Sequence, residues 1–284
     1  FAFYDFQISW ENCSPYGFGP AEDVLLRQSL NTFPTDTNRI NENIRTGEYS
    51  LMTTSNFKAK GLPALDYLLF GYDLSAEESI FSDTKRLDYI KDLINDIYIN
   101  VESVKNGWKT YRDSFISKTG NDVGSSLSLL VNQYIYDYEI AKRAKIGYPL
   151  GIYSSDVLPY NFEAPYSLRS MTLLEENLFT FRNIFIGPDN SNFTTTDNIY
   201  KYLKQITASR NDSLLADMIV KKFDELDSLT NKIDMPLSRA VLDEDEKSKI
   251  NDLYIKMQEL VVLLKVDMTS AMGIQIIYQD NDGD

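Results

Sequence analysis

Between Ile90 and Phe115 the apolar residues Ile90, Ile94, Ile97, Val101, Val104, Trp108, Tyr111 and Phe115 recur in unbroken steps of four and three. That period places all eight on one stripe of an α-helix. At 1.5 Å per residue the stripe runs for roughly 38 Å, too long for a small mixed sheet protein and natural for long antiparallel helices in a bundle. A second long stripe, Ile250, Leu253, Met257, Leu260, Leu264 and Met268, follows the charged stretch DEDEKSK, which suits an exposed first turn. Shorter stripes fall at Leu127, Leu130, Tyr134, Tyr138 and Ala141, at Leu174, Leu178, Phe181 and Phe185, and at Leu215, Ile219, Phe223, Leu226 and Ile233. No segment alternates with period two over a useful length. The chain is therefore expected to be all-α, with helices near 22–31, 37–46, 63–70, 76–115, 121–145, 168–186, 195–207, 211–233 and 244–272.

The sharpest interruption is the stretch from Lys145 to Ser167, which holds three of the nine prolines and two glycines without a helical stripe. It reads as a crossover between two helical bundles of the four-helix type, residues 1–150 and residues 151–284. A chain of 284 residues has room for two such units of about 140. Ser75 followed by Glu78 has the capping-box pattern, and Gly71 and Gly187 are candidate helix terminators. Gly107, inside the longest expected helix, costs it about 1 kcal/mol against alanine.

Composition removes whole classes of function. There is no histidine, so a Ser-His-Asp triad, a Cys-His dyad and a His-ligated zinc site are all impossible. Cys13 is the only cysteine, which excludes an intramolecular disulfide. A net charge of −14 repels phosphate backbones, so no nucleic acid partner is expected. No apolar run reaches the 18 or so residues that span a bilayer, and the opening FAFYDFQISW lacks the basic start and cleavage site of a signal peptide. A start without Met, inside an amphipathic segment, has the look of a mature or trimmed form.

Read in order, GLPALDYLLFG (Gly61 to Gly71), YEIAKRAKIGYPLG (Tyr138 to Gly151), EAPYSLRS (Glu163 to Ser170) and DNDGD (Asp280 to Asp284), with the opening SPYGFGPAEDVL and FPTDTNRI, resemble the imelysin family over nearly the whole chain. The resemblance implies two four-helix bundles, a bacterial cell-envelope location, often as a lipoprotein, a link to iron acquisition, and a site in the groove between the bundles. The family signature is G-x-H-x-x-E, grouped with metallopeptidases. Here Gly61 matches, but Pro63 stands at the histidine position and Asp66 at the glutamate position. Proline offers no lone pair. On local grounds alone, Pro63 suits a first helical turn and Asp66 suits the positive end of the helix dipole.

By the same resemblance Glu163 supplies a second carboxylate to the groove, with Tyr166, Ser167 and Ser170 as hydroxyl partners, and Asp66 and Glu163 are expected to approach one another. DNDGD resembles the start of a calcium loop, but the chain stops before the glutamate such a loop needs at position twelve. Tyr134, Tyr136 and Tyr138 beside Glu139 could suit ferric iron, although aromatics at helical spacing are more often core. The preferred function is a non-catalytic envelope protein, in the periplasm or at the cell surface, that binds a ligand, a metal species or an iron-uptake component. No cofactor is specified by the sequence. The alternatives are a metallopeptidase-like enzyme with a carboxylate-only metal site, and a structural or adaptor bundle.

Overall fold

Helices begin where the sequence offers an acceptor. Asp36 receives the N–H of Arg39 before the helix Thr37–Thr46, and Asp83 receives those of Lys85 and Arg86 before Thr84–Ser117. Ser125 receives the N–H of Ser128 before Ser126–Ile140, and Asp243 those of Asp245 and Glu246 before Glu244–Val262. Each cap satisfies donors that the helix cannot satisfy internally. The computed structural model describes residues 2–13, 17–71, 82–187 and 197–278. The Ser75–Glu78 pattern and DNDGD lie outside the described residues.

The fold is all-α, as expected, with 71% of the described residues helical. The first part holds the helices Ala2–Glu11, Pro20–Asp23, Leu26–Leu30, Thr37–Thr46, Gly61–Phe70 and Thr84–Ser117. Ser126–Ile140 continues through a π-helical segment, Ala141–Gly147, into Tyr148–Leu150. After the crossover come Ser170–Ile186, Ile199–Gln205, Leu215–Thr230 and Leu237–Ala240. The last long helix, Glu244–Val262, also passes through a π-helical segment, Leu263–Met268, into Thr269–Met272. Strand among the described residues is limited to Ser209–Arg210, paired antiparallel with Ser213–Leu214.

Buried apolar side chains form two clusters. One gathers Trp10, Leu30, Ile40, Leu62, Leu65, Leu68, Tyr89, Leu93 and Ile97. The other runs from Val131 to Ile274 and contains every residue of the stripe Ile250, Leu253, Met257, Leu260, Leu264 and Met268. Tyr134 and Tyr138 sit in this second cluster, fully buried, their hydroxyls donating to the carbonyls of Phe181 (3.0 Å) and Met257 (3.3 Å). These two tyrosines are core, with both hydroxyls satisfied inside it. A division at residue 150 passes through this second cluster, since Val131 to Ile146 belong to it.

The long helix is continuous through Gly107, as the expected span 76–115 requires. A Cβ at Gly107 would stand 2.7 Å from the ring of Pro20, so the glycine's cost to the helix is offset by close packing of the Pro20 turn. The buried face of this helix is also rotated from the expected stripe. Its buried residues are Arg86, Tyr89, Leu93, Asp96 and Ile97, whereas Ile94 is 54% exposed and Val101 38% exposed. An apolar count misses that face because two of its members are charged. Arg86 donates to the carbonyl of Leu68 at 2.7 Å, and Asp96 pairs with buried Lys60 at 3.0 Å. Leu93→Ala is expected to cost about 2–5 kcal/mol, and Ile94→Ala no more than about 0.5 kcal/mol, both measured by urea unfolding. Equal costs would restore the stripe read from sequence.

Candidate functional site

Gly61 opens its helix at φ 74°, and a Cβ there would lie 2.2 Å from the carbonyl oxygen of Leu30. Only glycine permits that contact. It brings the segment Leu30–Asn31 against the start of the helix Gly61–Phe70. Pro63 lies in the first turn, where its missing N–H removes no helical bond, and it is buried.

Asp66, one turn further, is fully buried. Its Oδ2 accepts the N–H of Tyr166 at 3.1 Å and its Oδ1 that of Ser167 at 3.3 Å. Those two amides belong to a loop in which Ala164 (φ 45°) and Leu168 (φ 61°) are left-handed. Such residues cost about 1–2 kcal/mol each. The loop is held from one side by Asp66 and from within by Ser170, whose Oγ donates to the carbonyl of Glu163 at 2.5 Å. The Tyr166 ring lies against Tyr67 (5.2 Å) and Tyr160 (5.8 Å).

The Glu163 side chain turns inward. Its Oε1 accepts from Asn31 Nδ2 at 2.6 Å, and its Oε2 lies 2.6 Å from Lys145 Nζ. The same ammonium is 2.6 Å from Glu11 Oε2, at the end of the first helix. Glu11, Lys145 and Glu163 are 1%, 7% and 4% exposed. Burial, then the neighbouring Glu163, pushes the Glu11 carboxyl up to about 8, against the pull of Lys145. Burial works against the charge on Lys145, but Glu11 and Glu163 outweigh it and its pKa is raised. Burial pushes Asp66 up to about 6, although the Ser167 and Tyr166 donors favour its charge. Further directional contacts border this centre: Arg27 with Asp137, and Thr180 Oγ1 donating to Asn12 Oδ1 at 2.8 Å.

The structure thus places Gly61, Pro63, Asp66, Glu163, Tyr166, Ser167 and Ser170 around one junction. The Glu163 charge acts on Asp66 there. The crevice between Pro63 and Glu163, also lined by Gln7, Trp10, Glu11, Asn31, Leu62 and Ala164, has no room for a water molecule. Lys145, Glu11 and Asn31 were not anticipated. The opening segment is amphipathic, but the helices expected from the sequence do not include Ala2–Glu11, and Lys145 reads as one of three bases in AKRAKIG. A glycine two residues after a lysine-rich helix end gives no hint of a π-helical turn that carries the lysine inward.

As they stand these residues do not fit a metal ion. Pro63 has no donor, both Asp66 oxygens face backbone amides, and the ammonium of Lys145 lies between the glutamates. Among the described residues no group of three or more Asp, Glu or Cys side chains gathers as a metal site. Elsewhere, Leu127, Leu130, Phe179, Ile184, Ile199 and Met272 line an open groove of about 830 Å³, with Asn12, Thr180 and Asn183 at its polar side.

The imelysin family model matches residues 1–264 of the chain. Two solved structures share the fold. One is an imelysin-like protein from Psychrobacter arcticum 273-4, 18% identical, covering 97% of this chain and 81% of its own, with a TM-score of 0.71. The other is described as an iron-regulated protein A precursor from Parabacteroides distasonis ATCC 8503, 19% identical, covering 95% and 82%, with a TM-score of 0.73. No curated protein matches the chain.

The two raised carboxyls set a pH dependence. Unfolded, Asp66 ionises near 3.8 and Glu11 near 4.5; folded, they hold their protons to about 6 and about 8. The unfolded chain binds fewer protons across those windows, so stability falls as pH rises through them. The urea midpoint is expected to be higher at pH 5 than at pH 8, with Glu11→Gln flattening the fall between pH 6 and pH 8. A midpoint that rises over this range would contradict the assignment.

Proposed function

Because the chain belongs to the imelysin family, as the match over residues 1–264 shows, we propose that it is a non-catalytic member whose signature positions have become structural. In this reading it is an envelope protein, in the periplasm or at the cell surface, that binds a ligand or partner in connection with iron uptake. One observation carries the non-catalytic part: Asp66 and Glu163 are both engaged in holding the junction, the first by two backbone amides and the second by Asn31 and Lys145. A peptidase metal needs an open position for water and a polarised carbonyl, and the crevice beside Pro63 is closed even to water.

The iron link rests on the relative described as an iron-regulated protein precursor. That description also supports export, and no described helix is long and apolar enough to cross a membrane. The ligand's place in this reading is the groove of about 830 Å³, within the size range of small-molecule sites. We further propose two folding units divided near residues 118–125, where the chain leaves the long helix and enters the second hydrophobic cluster.

The test is incubation of purified protein with insulin chain and zinc. No cleavage above a zinc-only control is expected. Cleavage that a chelator abolishes and zinc restores, in a sample free of other proteases, would overturn the non-catalytic reading.

A further inference from the structure

The buried trio is unevenly matched. Two carboxyl groups, Glu11 and Glu163, face one ammonium, so the set is balanced in charge only while one of the two carboxyls holds a proton. The oxygen shell is also larger than the ammonium can serve. Lys145 has three N–H donors. Glu11 Oε2 and Glu163 Oε2 contact it directly, Glu11 and Asn31 line the crevice at Lys145, and Gln7, Glu11, Asn31 and Glu163 line the adjoining one. Of these, Asn31 Oδ1 and Gln7 Oε1 are buried without a hydrogen-bond partner, whereas Glu11 shares a side-chain hydrogen bond with Glu163. Asn31 and Gln7 are 7% and 2% exposed, so solvent does not serve their oxygens either. Buried acceptors in folded proteins are normally paired. The buried amide oxygens of Asn31 and Gln7, in the crevices that the two carboxyl groups also line, make up a set of oxygen donors, which is the preference of hard divalent cations.

We propose that the Lys145 ammonium is a tethered cation occupying an oxygen-lined cation site built from Glu11, Glu163, Asn31 and Gln7, so that the chain fills from within a place suited to a hard divalent ion. The inference deepens the non-catalytic reading and rests on it, since a junction that carries its own cation has no vacancy for a catalytic metal. A divalent ion would displace the proton shared by the two carboxyl groups and reach more oxygens than three N–H donors can. The Ala141–Gly147 π-helical segment is the device that delivers the side chain, because Lys145 and the buried Ala141, Lys142, Ile146 and Gly147 all lie on it. Removing the lysine side chain beyond Cβ vacates room for an ion and its waters without touching an oxygen ligand.

The experiment uses the full chain, with Mn²⁺ as the probe followed by loss of its free-ion EPR signal and by thermal unfolding. Lys145→Ala is expected to bind one Mn²⁺ at least tenfold more tightly than the unaltered protein, with a rise in Tm that NaCl of equal ionic strength does not produce. Lys145→Arg, which keeps a tethered cation, is expected to bind no better than the unaltered protein, and Lys145→Ala combined with Glu163→Gln is expected to lose the gain. If Lys145→Ala does not fold in metal-free buffer, recovery of its helical circular dichroism with Mn²⁺ and not with NaCl supports the proposal, while an unchanged unfolded spectrum overturns it. A folded Lys145→Ala that binds Mn²⁺ no more tightly than the unaltered protein overturns it as well, as does equal binding by Lys145→Arg or by the double variant. These outcomes are separate from the peptidase assay: cleavage by the unaltered protein would end the non-catalytic reading whatever Lys145→Ala binds.

Discussion

The contact of one lysine with two glutamates at 2.6 Å each is the constraint on which the junction depends. Glu11 closes the first helix, Lys145 lies at the end of the helix that starts at Ser126, and Glu163 belongs to the crossover loop. Three segments distant in sequence thus meet at one ammonium. Removing one partner of a buried pair costs about 3–5 kcal/mol, whereas replacing a whole pair with well-packed apolar groups can be neutral. The trio therefore acts less as a source of net stability than as a condition on geometry: any arrangement that separates these segments leaves a charge dry and unpaired.

The two apolar clusters could each close without fixing how they meet, because apolar burial has no direction. Direction comes from polar contacts across the junction: Arg27 with Asp137, Asn31 with Glu163, Asn12 with Thr180, and Asp66 with the amides of Tyr166 and Ser167. The Asp66 pair also explains how Ala164 and Leu168 remain left-handed, since two charge-assisted hydrogen bonds, typically about 1.5–3 kcal/mol each, are of the size needed to offset that strain. Residues at the positions of the family signature have thereby acquired structural partners. Function by binding at another face follows more readily from this than chemistry at the junction.

Much of the fold was legible because helical period is a property of neighbouring residues. The stripe from Ile250 to Met268 is buried throughout, and the helices Thr37–Thr46 and Ser170–Ile186 fall where the spacing predicts. The long helix was read with its face turned by about one residue, since Arg86 and Asp96 are buried through partners in other segments that an apolar count ignores. Family resemblance brought Gly61, Asp66 and Glu163 to attention, yet nothing local announces that Asp66 faces amides a hundred residues away or that Lys145 is the counter-charge. Pairing across the chain is decided by tertiary geometry. The π-helical turn that aims Lys145 has no sequence signature of its own.

A double-mutant cycle on Lys145 and Glu163, with Lys145→Met and Glu163→Gln measured singly and together by urea unfolding, tests the coupling most directly. The account predicts an interaction energy of about 1–3 kcal/mol, the double variant being far less destabilised than the sum of the singles. Additivity within about 0.5 kcal/mol would contradict it and would show that the junction is held by its apolar surroundings alone.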